Sequence, residues 1–121
     1  MIICKGNMPK STLVLQFNRY GMGHGDPELQ LKLLQKYLQL ILENGSLPMA
    51  ITFYTEGVKL TVEGSPVLAE LRALEKQGVR LVICSTCLDY YGLHDGVQVG
   101  IVGGMPDIIE AQWKAEKVIN L

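Results

Sequence analysis

The sequence predicts a three-layer α/β domain, a mostly parallel five-stranded sheet of flavodoxin-like type sandwiched by helices. Three observations carry that prediction. Strand-like apolar runs alternate strictly with amphipathic helical stretches, a pattern that implies right-handed crossovers and parallel strands. The strand runs are continuously apolar rather than alternating, as a sheet covered on both faces requires. No repeat, linker or low-complexity stretch interrupts the pattern over the 121 residues.

Each element has its own local reason. Thr12 to Asn18, TLVLQFN, reads as a buried strand of β-branched and aliphatic residues, and the glycine-rich loop RYGMGHGDPE follows it. Asp26 stands at an N-cap and Pro27 at the first helical position, so a helix opens there and extends to about Glu43. Leu31, Leu34, Leu38 and Ile41 line its apolar face, opposite Glu28, Lys32, Gln35, Lys36, Gln39 and Glu43, and Asn44-Gly45 stops it. Met49 to Thr55, MAITFYT, is the second strand, and EGVKLTVEG is a loop with a short extended piece. Ser65-Pro66 repeats the cap-plus-proline signal and starts a helix to Gln77, with Val67, Leu68, Leu71 and Leu74 inward and Gly78 closing it. VRLVIC is the third strand, and a short helix from Thr86 to Tyr91 is ended by Gly92. VQVGIV is the fourth. After Gly103-Gly104 a last helix runs from about Pro106 to Glu116, with Asp107 and Glu110 at capping-box spacing, and KVINL is the fifth strand.

The length fits one domain, residues 12–121, preceded by a tail at 1–11. With 11 basic and 12 acidic residues spread evenly and a net charge of -1, no basic stripe offers itself to a phosphate backbone, so nucleic acid is not an expected partner. No apolar run approaches the roughly 20 residues that span a bilayer, which excludes a membrane partner. The start, MIICKGNMPK, is too short an apolar run for a signal-peptide core, and the expected location is the cytoplasm. Three cysteines, an odd number, fit reduced thiols better than a secreted disulfide framework.

In parallel sheets of this kind, ligands collect beyond the carboxyl ends of the strands. That rule selects RYGMGHGD, TEGVKL, CSTC and GGMPD, the segments after strands one to four. Glycines at 21, 23 and 25 match neither the Gly-x-Gly-x-x-Gly dinucleotide fingerprint nor a P-loop, so GMGHG is either a flexible turn or an anion- or substrate-binding rim at a helix N-terminus. GGMPD has the same two readings.

Cys84 falls on the last residue of the third strand, with Ser85 or Thr86 able to cap the helix that follows. A thiol there meets the positive end of a helix dipole and backbone N–H donors, both of which favour thiolate. Cys87, one helical turn on, lies on the same side. The pair admits four readings: a structural zinc half-site, a thioredoxin-like disulfide, two buried apolar cysteines, or a reactive thiol with a neighbour. Zinc is short of ligands, since only His24 and His94 are available to complete a set, and a thioredoxin-like pair opens a long helix after an early strand. Strand-end position favours the reactive thiol. Cys4, in the tail, has no assigned role. His24 sits on the rim, within reach of a thiolate or substrate, and His94 reads as a surface residue. Trp113 fits packing or a subunit contact, and of Tyr90 and Tyr91 at least one is expected against the sheet.

The pattern Cys84-Ser-Thr-Cys87-Leu-Asp-Tyr-Tyr-Gly92-Leu at the end of the third strand resembles the DsrE/DsrF-like sulfurtransferase family, and is most similar to the DsrE-like half of YedF-type proteins, which are linked by name to selenium metabolism. MGHGDPELQLKLLQKYLQLI, ITFYTEGVKLTVEGSPVLAELRALEKQGVRLVIC and VGIVGGMPDIIEAQWKAEKVINL are similar to other parts of that group, so the resemblance spans residue 12 onward. It implies a small α/β subunit that assembles into trimers or hexamers, or pairs with relatives. It also implies a cysteine that receives persulfide sulfur and passes it to the next carrier. In the family pattern that cysteine precedes a glycine by eight residues, a spacing held here by Cys84 and Gly92. YedF-type chains usually carry a TusA-like domain ahead of this one, for which the 11 residues before the first strand leave no room.

The expected function is therefore a sulfurtransferase-like persulfide carrier in intracellular sulfur or selenium metabolism, needing no cofactor and no metal. Cys84 is the expected nucleophile and Cys87 its resolving or tuning neighbour. Backbone N–H groups of Ser85 and Thr86 hold the thiolate, while Gly23, His24, Gly104 and Met105 form the substrate rim. The implied partners are sulfur donor and acceptor proteins, a TusA-like carrier among them, and further copies of the chain. The alternative is a non-catalytic binding or assembly subunit with structural cysteines.

Overall fold

In the computed structural model, which describes residues 12–121, the strands are β1 (Leu13–Phe17), β2 (Ala50–Phe53), β3 (Arg80–Cys84), β4 (Ile101–Gly103) and β5 (Lys117–Asn120). The helices are α1 (Pro27–Asn44), α2 (Leu68–Lys76), α3 (Ser85–Tyr91) and α4 (Met105–Lys114), with short 3₁₀ segments at Thr55–Thr61 and His94–Gly96. The five strands form one sheet in the order β4-β3-β2-β1-β5, every ladder parallel. The three-layer parallel architecture is thus the one expected, with a strand order other than the 2-1-3-4-5 of flavodoxin itself.

Strand alternation divides the sheet into two faces. The registers Leu15↔Ile51↔Leu81 and Phe17↔Phe53↔Ile83 put six large apolar side chains on one face. They form one core with Leu34 and Leu38 of α1, Leu71 and Leu74 of α2, and Leu88 of α3, and the Phe17 and Phe53 rings stack at 5.6 Å. The other face carries smaller residues, and there Val14 and Ala50 meet Ala111 of α4. Gln16, 3 % exposed, sits on that face and is held by Asn120 at 2.7 Å, Tyr54 at 3.2 Å and the Gln112 amide of α4.

From β1 to β4 the chain steps across the sheet in one direction, and then returns past β1 to lay down β5. With right-handed crossovers, that return sends the exit of β4 to the face opposite the exit of β3. In open parallel sheets such a reversal marks the strand ends where a crevice is expected, here the carboxyl ends of β3 and β4, where Cys84 pairs with Gly103.

Three local expectations are corrected. EGVKLTVEG, expected as a loop with a short extended piece, is mostly helical: Thr55–Thr61 is a 3₁₀ segment with Gly57, Val58, Leu60 and Thr61 buried, and the extended piece is confined to Val62. The helix expected from Ser65-Pro66 starts at Leu68, because the Ser65 hydroxyl accepts the Val67 N–H at 3.3 Å and closes a turn first. The fourth strand loses its first half because Val97 bridges Val62 in antiparallel fashion and the Gln98 N–H donates to the Thr61 carbonyl at 2.8 Å. Gly100, at φ +83°, then turns the chain into β4. Among the described residues no helix is long and apolar enough to cross a membrane.

Candidate functional site

β3 runs into α3 without an intervening turn, so Cys84 is both the last strand residue and the N-cap of the helix. The capping expected of Ser85 or Thr86 therefore shifts by one position: Ser85 is already helical and no side chain caps α3. Gly92 ends the helix at φ +68°, its N–H directed at the Leu88 and Asp89 carbonyls. Cys84 is 1 % exposed and Cys87 is half-buried.

One helical turn brings the Cys87 thiol to within 3.1 Å of Cys84 Sγ, to which it donates. The Thr55 backbone N–H donates to Cys87 Sγ, also at 3.1 Å. Thr55 has φ +50°, the one positive value on a non-glycine residue among those described. Such a conformation costs on the order of 1–3 kcal/mol and persists only where the surroundings impose it. Gly57 supplies part of that imposition. A Cβ on it would lie 1.9 Å from the Phe17 carbonyl oxygen, so only glycine lets the 3₁₀ segment sit against the end of β1. Burial, then the Cys84 contact, push the Cys87 thiol above its ordinary pKa, while the Thr55 N–H pulls it back in part.

The structure places the expected rim residues in two groups. Gly104 and Met105 follow β4 and flank Cys84 through the Cys84↔Gly103 register; the Gly104 N–H donates to the Asp107 carboxylate at 2.9 Å, and Met105 is exposed. Gly23 and His24 stand on the other side of the Thr55 turn. Gly23 is tied by its N–H to the Leu121 carbonyl and by its own carbonyl to Arg19, and His24 is exposed. His24 makes no hydrogen bond to either thiol; it lines a cleft of about 610 Å³ together with Arg19, Tyr20, Thr55, Glu56 and Lys59. Thr55 is the residue common to the cleft and the thiol pair. Lys59, 3.7 Å from Glu56, lies over the Tyr91 ring at 4.6 Å and ties the cleft wall to α3. Tyr91 packs against the core, whereas Tyr90 is exposed. Ser85 is half-buried and Thr86 exposed. His94 pairs with Asp89 at 2.9 Å, away from the cysteines. Among the described residues no three His, Cys, Asp or Glu side chains converge as metal ligands would. Cys4 and the 1–11 tail lie outside the described residues.

Sequence reasoning singled out the segments RYGMGHGD and TEGVKL but gave no role to Arg19, Thr55 or Lys59 within them. A backbone N–H has no residue-type signature, and the two cations belong to loops whose meeting depends on strand order.

Residues 8–121 match the family described as DsrE/DsrF-like. The chain belongs to that family. Among curated proteins none matches it. Solved structures that share the fold of this DsrE/DsrF-like chain include three of similar length. The ychN protein from E. coli is 21 % identical with a TM-score of 0.67, covering 94 % of this chain and 100 % of its own. MTH1491 from Methanobacterium thermoautotrophicum, described as a protein of unknown function, is 21 % identical with a TM-score of 0.66, over 90 % and 97 %. BT1422 from Bacteroides thetaiotaomicron, a conserved protein of unknown function, is 16 % identical with a TM-score of 0.61, over 91 % and 95 %.

Proposed function

We propose that this DsrE/DsrF-like protein is a sulfurtransferase-like carrier of persulfide sulfur, with Cys84 as the carrying thiol and Cys87 as its partner, in cytoplasmic sulfur or selenium metabolism. Family membership supports a role connected with sulfur relay. The observation that carries the finer reading is the thiol pair itself, two free cysteines 3.1 Å apart at the carboxyl end of β3. Burial of Cys84 supports the same reading, because a terminal sulfur held there is sheltered from stray thiols. In this reading the backbone N–H groups of Ser85 and Thr86 hold the Cys84 thiolate, while Gly104 and Met105 after β4 and Gly23 and His24 on the cleft form the rim that receives a sulfur donor or acceptor protein, a TusA-like carrier being the fitting acceptor. Further copies of the chain cover the outer face of α4, where Met105, Ile109 and Trp113 recur at helical spacing and Trp113 is 85 % exposed. Trimers or hexamers are the expected assemblies.

The same burial favours one rival, a binding subunit with structural cysteines. Loading in the Cys87→Ser background separates the two. After incubation with a persulfide donor, an intact mass spectrum gains one reductant-sensitive sulfur if Cys84 is the carrier, and loses that gain when Cys84→Ser is added. No gain, or a gain that survives in the double variant, overturns the assignment.

A further inference from the structure

We propose that the pair also releases sulfur as sulfide: Cys87 discharges a persulfide on Cys84, leaving a Cys84–Cys87 disulfide. The inference rests on the carrier reading and adds a fate for the sulfur when no acceptor collects it.

The geometry decides which sulfur is attacked. In a persulfide on Cys84 the inner atom is Sγ, the atom that Cys87 Sγ already touches at 3.1 Å. A disulfide bond is about 2.05 Å long, so the two atoms need to close by roughly 1 Å. Attack at the outer sulfur would only move the persulfide from one cysteine to the other. Cys84 is 1 % exposed, so the thiol positioned to reach its Sγ is the one already beside it. The half-buried Cys87 stays open to solvent for loss of its proton, and the Thr55 N–H directed at its sulfur stabilises the thiolate.

The step balances. Cys87 gives its proton to solvent, and its thiolate attacks Cys84 Sγ. The Cys84–Cys87 S–S bond forms, the bond from Sγ to the terminal sulfur breaks, and the electron pair leaves with that sulfur as hydrosulfide. The terminal sulfur is reduced by two electrons, and the two thiols are oxidised by two. Return to the dithiol form requires an external dithiol reductant, by ordinary thiol–disulfide exchange. A sulfur delivered first to Cys87 gives the same products, with Cys84 as the attacking thiol.

The test uses a low-molecular-weight persulfide at one equivalent per chain, without reductant, reading free sulfide and intact mass together. Wild type is expected to release close to one sulfide per chain and to lose two hydrogens. Cys87→Ser is expected to hold one added sulfur, not the whole donor, and to release sulfide roughly tenfold more slowly or less. With a dithiol reductant present, wild type should turn over. If Cys87→Ser loads and wild type holds its sulfur equally long as a persulfide, the discharge is wrong while the carrier reading stands. If Cys87→Ser does not load and wild type releases nothing above a Cys84→Ser control, both fail.

Discussion

The backbone N–H of Thr55 and the sulfur of Cys87 meet at 3.1 Å, and this contact couples the carboxyl end of β2 to the helix that carries the thiol pair. It is made by a threonine in the left-handed region, at φ +50°, where a β-branched side chain is strained. Asparagine tolerates that region and keeps the N–H. Thr55→Asn should therefore stabilise the fold by up to about 1 kcal/mol, with Cys87 reactivity unchanged. Urea denaturation and alkylation rates measure the two, and a loss of stability would mean that the Thr55 side chain holds the turn.

Burial and the neighbouring thiol raise the pKa of Cys87, which fixes a pH dependence. Thiolate is the reactive form, so alkylation of Cys87 should keep climbing with pH beyond the point where an ordinary thiol levels off. The folded state holds this proton more firmly than the unfolded state does. Its contribution to stability is fully present below the unfolded thiol pKa and disappears as pH rises through the higher folded value. A rate profile on Cys84→Ser, where the coupling to the second thiol is gone, should shift toward lower pH. A profile that stays put would assign the shift to burial alone.

Gly57 touches no thiol, yet the Thr55 turn depends on it. A methyl group there would overlap the Phe17 carbonyl oxygen at 1.9 Å, with backbone on both sides and no flexible side chain to give way. Gly57→Ala should cost about 2–4 kcal/mol and raise the accessibility of Cys87. Thermal melting and thiol labelling should change together, and a neutral substitution would contradict the packing described.

The outer face of α4 predicts assembly. Trp113 at 85 % exposure, with Ile109 and Met105 above it, is the sort of anchor that loses most on truncation. Trp113→Ala should weaken self-association about tenfold or more, equivalent to at least about 1.4 kcal/mol, without lowering the stability of the isolated chain. Light scattering across a dilution series reads this directly. An unchanged mass, or a monomer at every concentration in the wild type, would remove Trp113 from any subunit contact.

Much of the fold was legible because its signals are local. The Leu34–Leu38 stripe, Pro27 at the helix start, Gly45 and Gly92 at helix ends and the apolar run into Cys84 each announce an element within a few residues. Thr55–Thr61 was not legible: TEGVKLT has the composition of a surface loop, and it is buried only because Gly57 fits under Phe17 and the exit bridges Val97. The thiol pair was visible as Cys84-x-x-Cys87, but not its depth. That Cys84 is shut away while Cys87 meets a backbone donor follows from the side-by-side placement of β2 and β3, which spacing along the chain does not encode.

The parallel pairing of β1 with β5 has a consequence for biosynthesis. Leu13 lies opposite Lys117 and Gln16 opposite Asn120, so β1 finds one of its two neighbours only once a segment 104 residues further along the chain has been made. Loop closure over such a separation is slow compared with local helix formation. Until then β1 presents an unpaired apolar edge, with Gln16 lacking its partner on Asn120. β5 acts as a latch, and nascent chains stalled just short of it should be the species most dependent on chaperones.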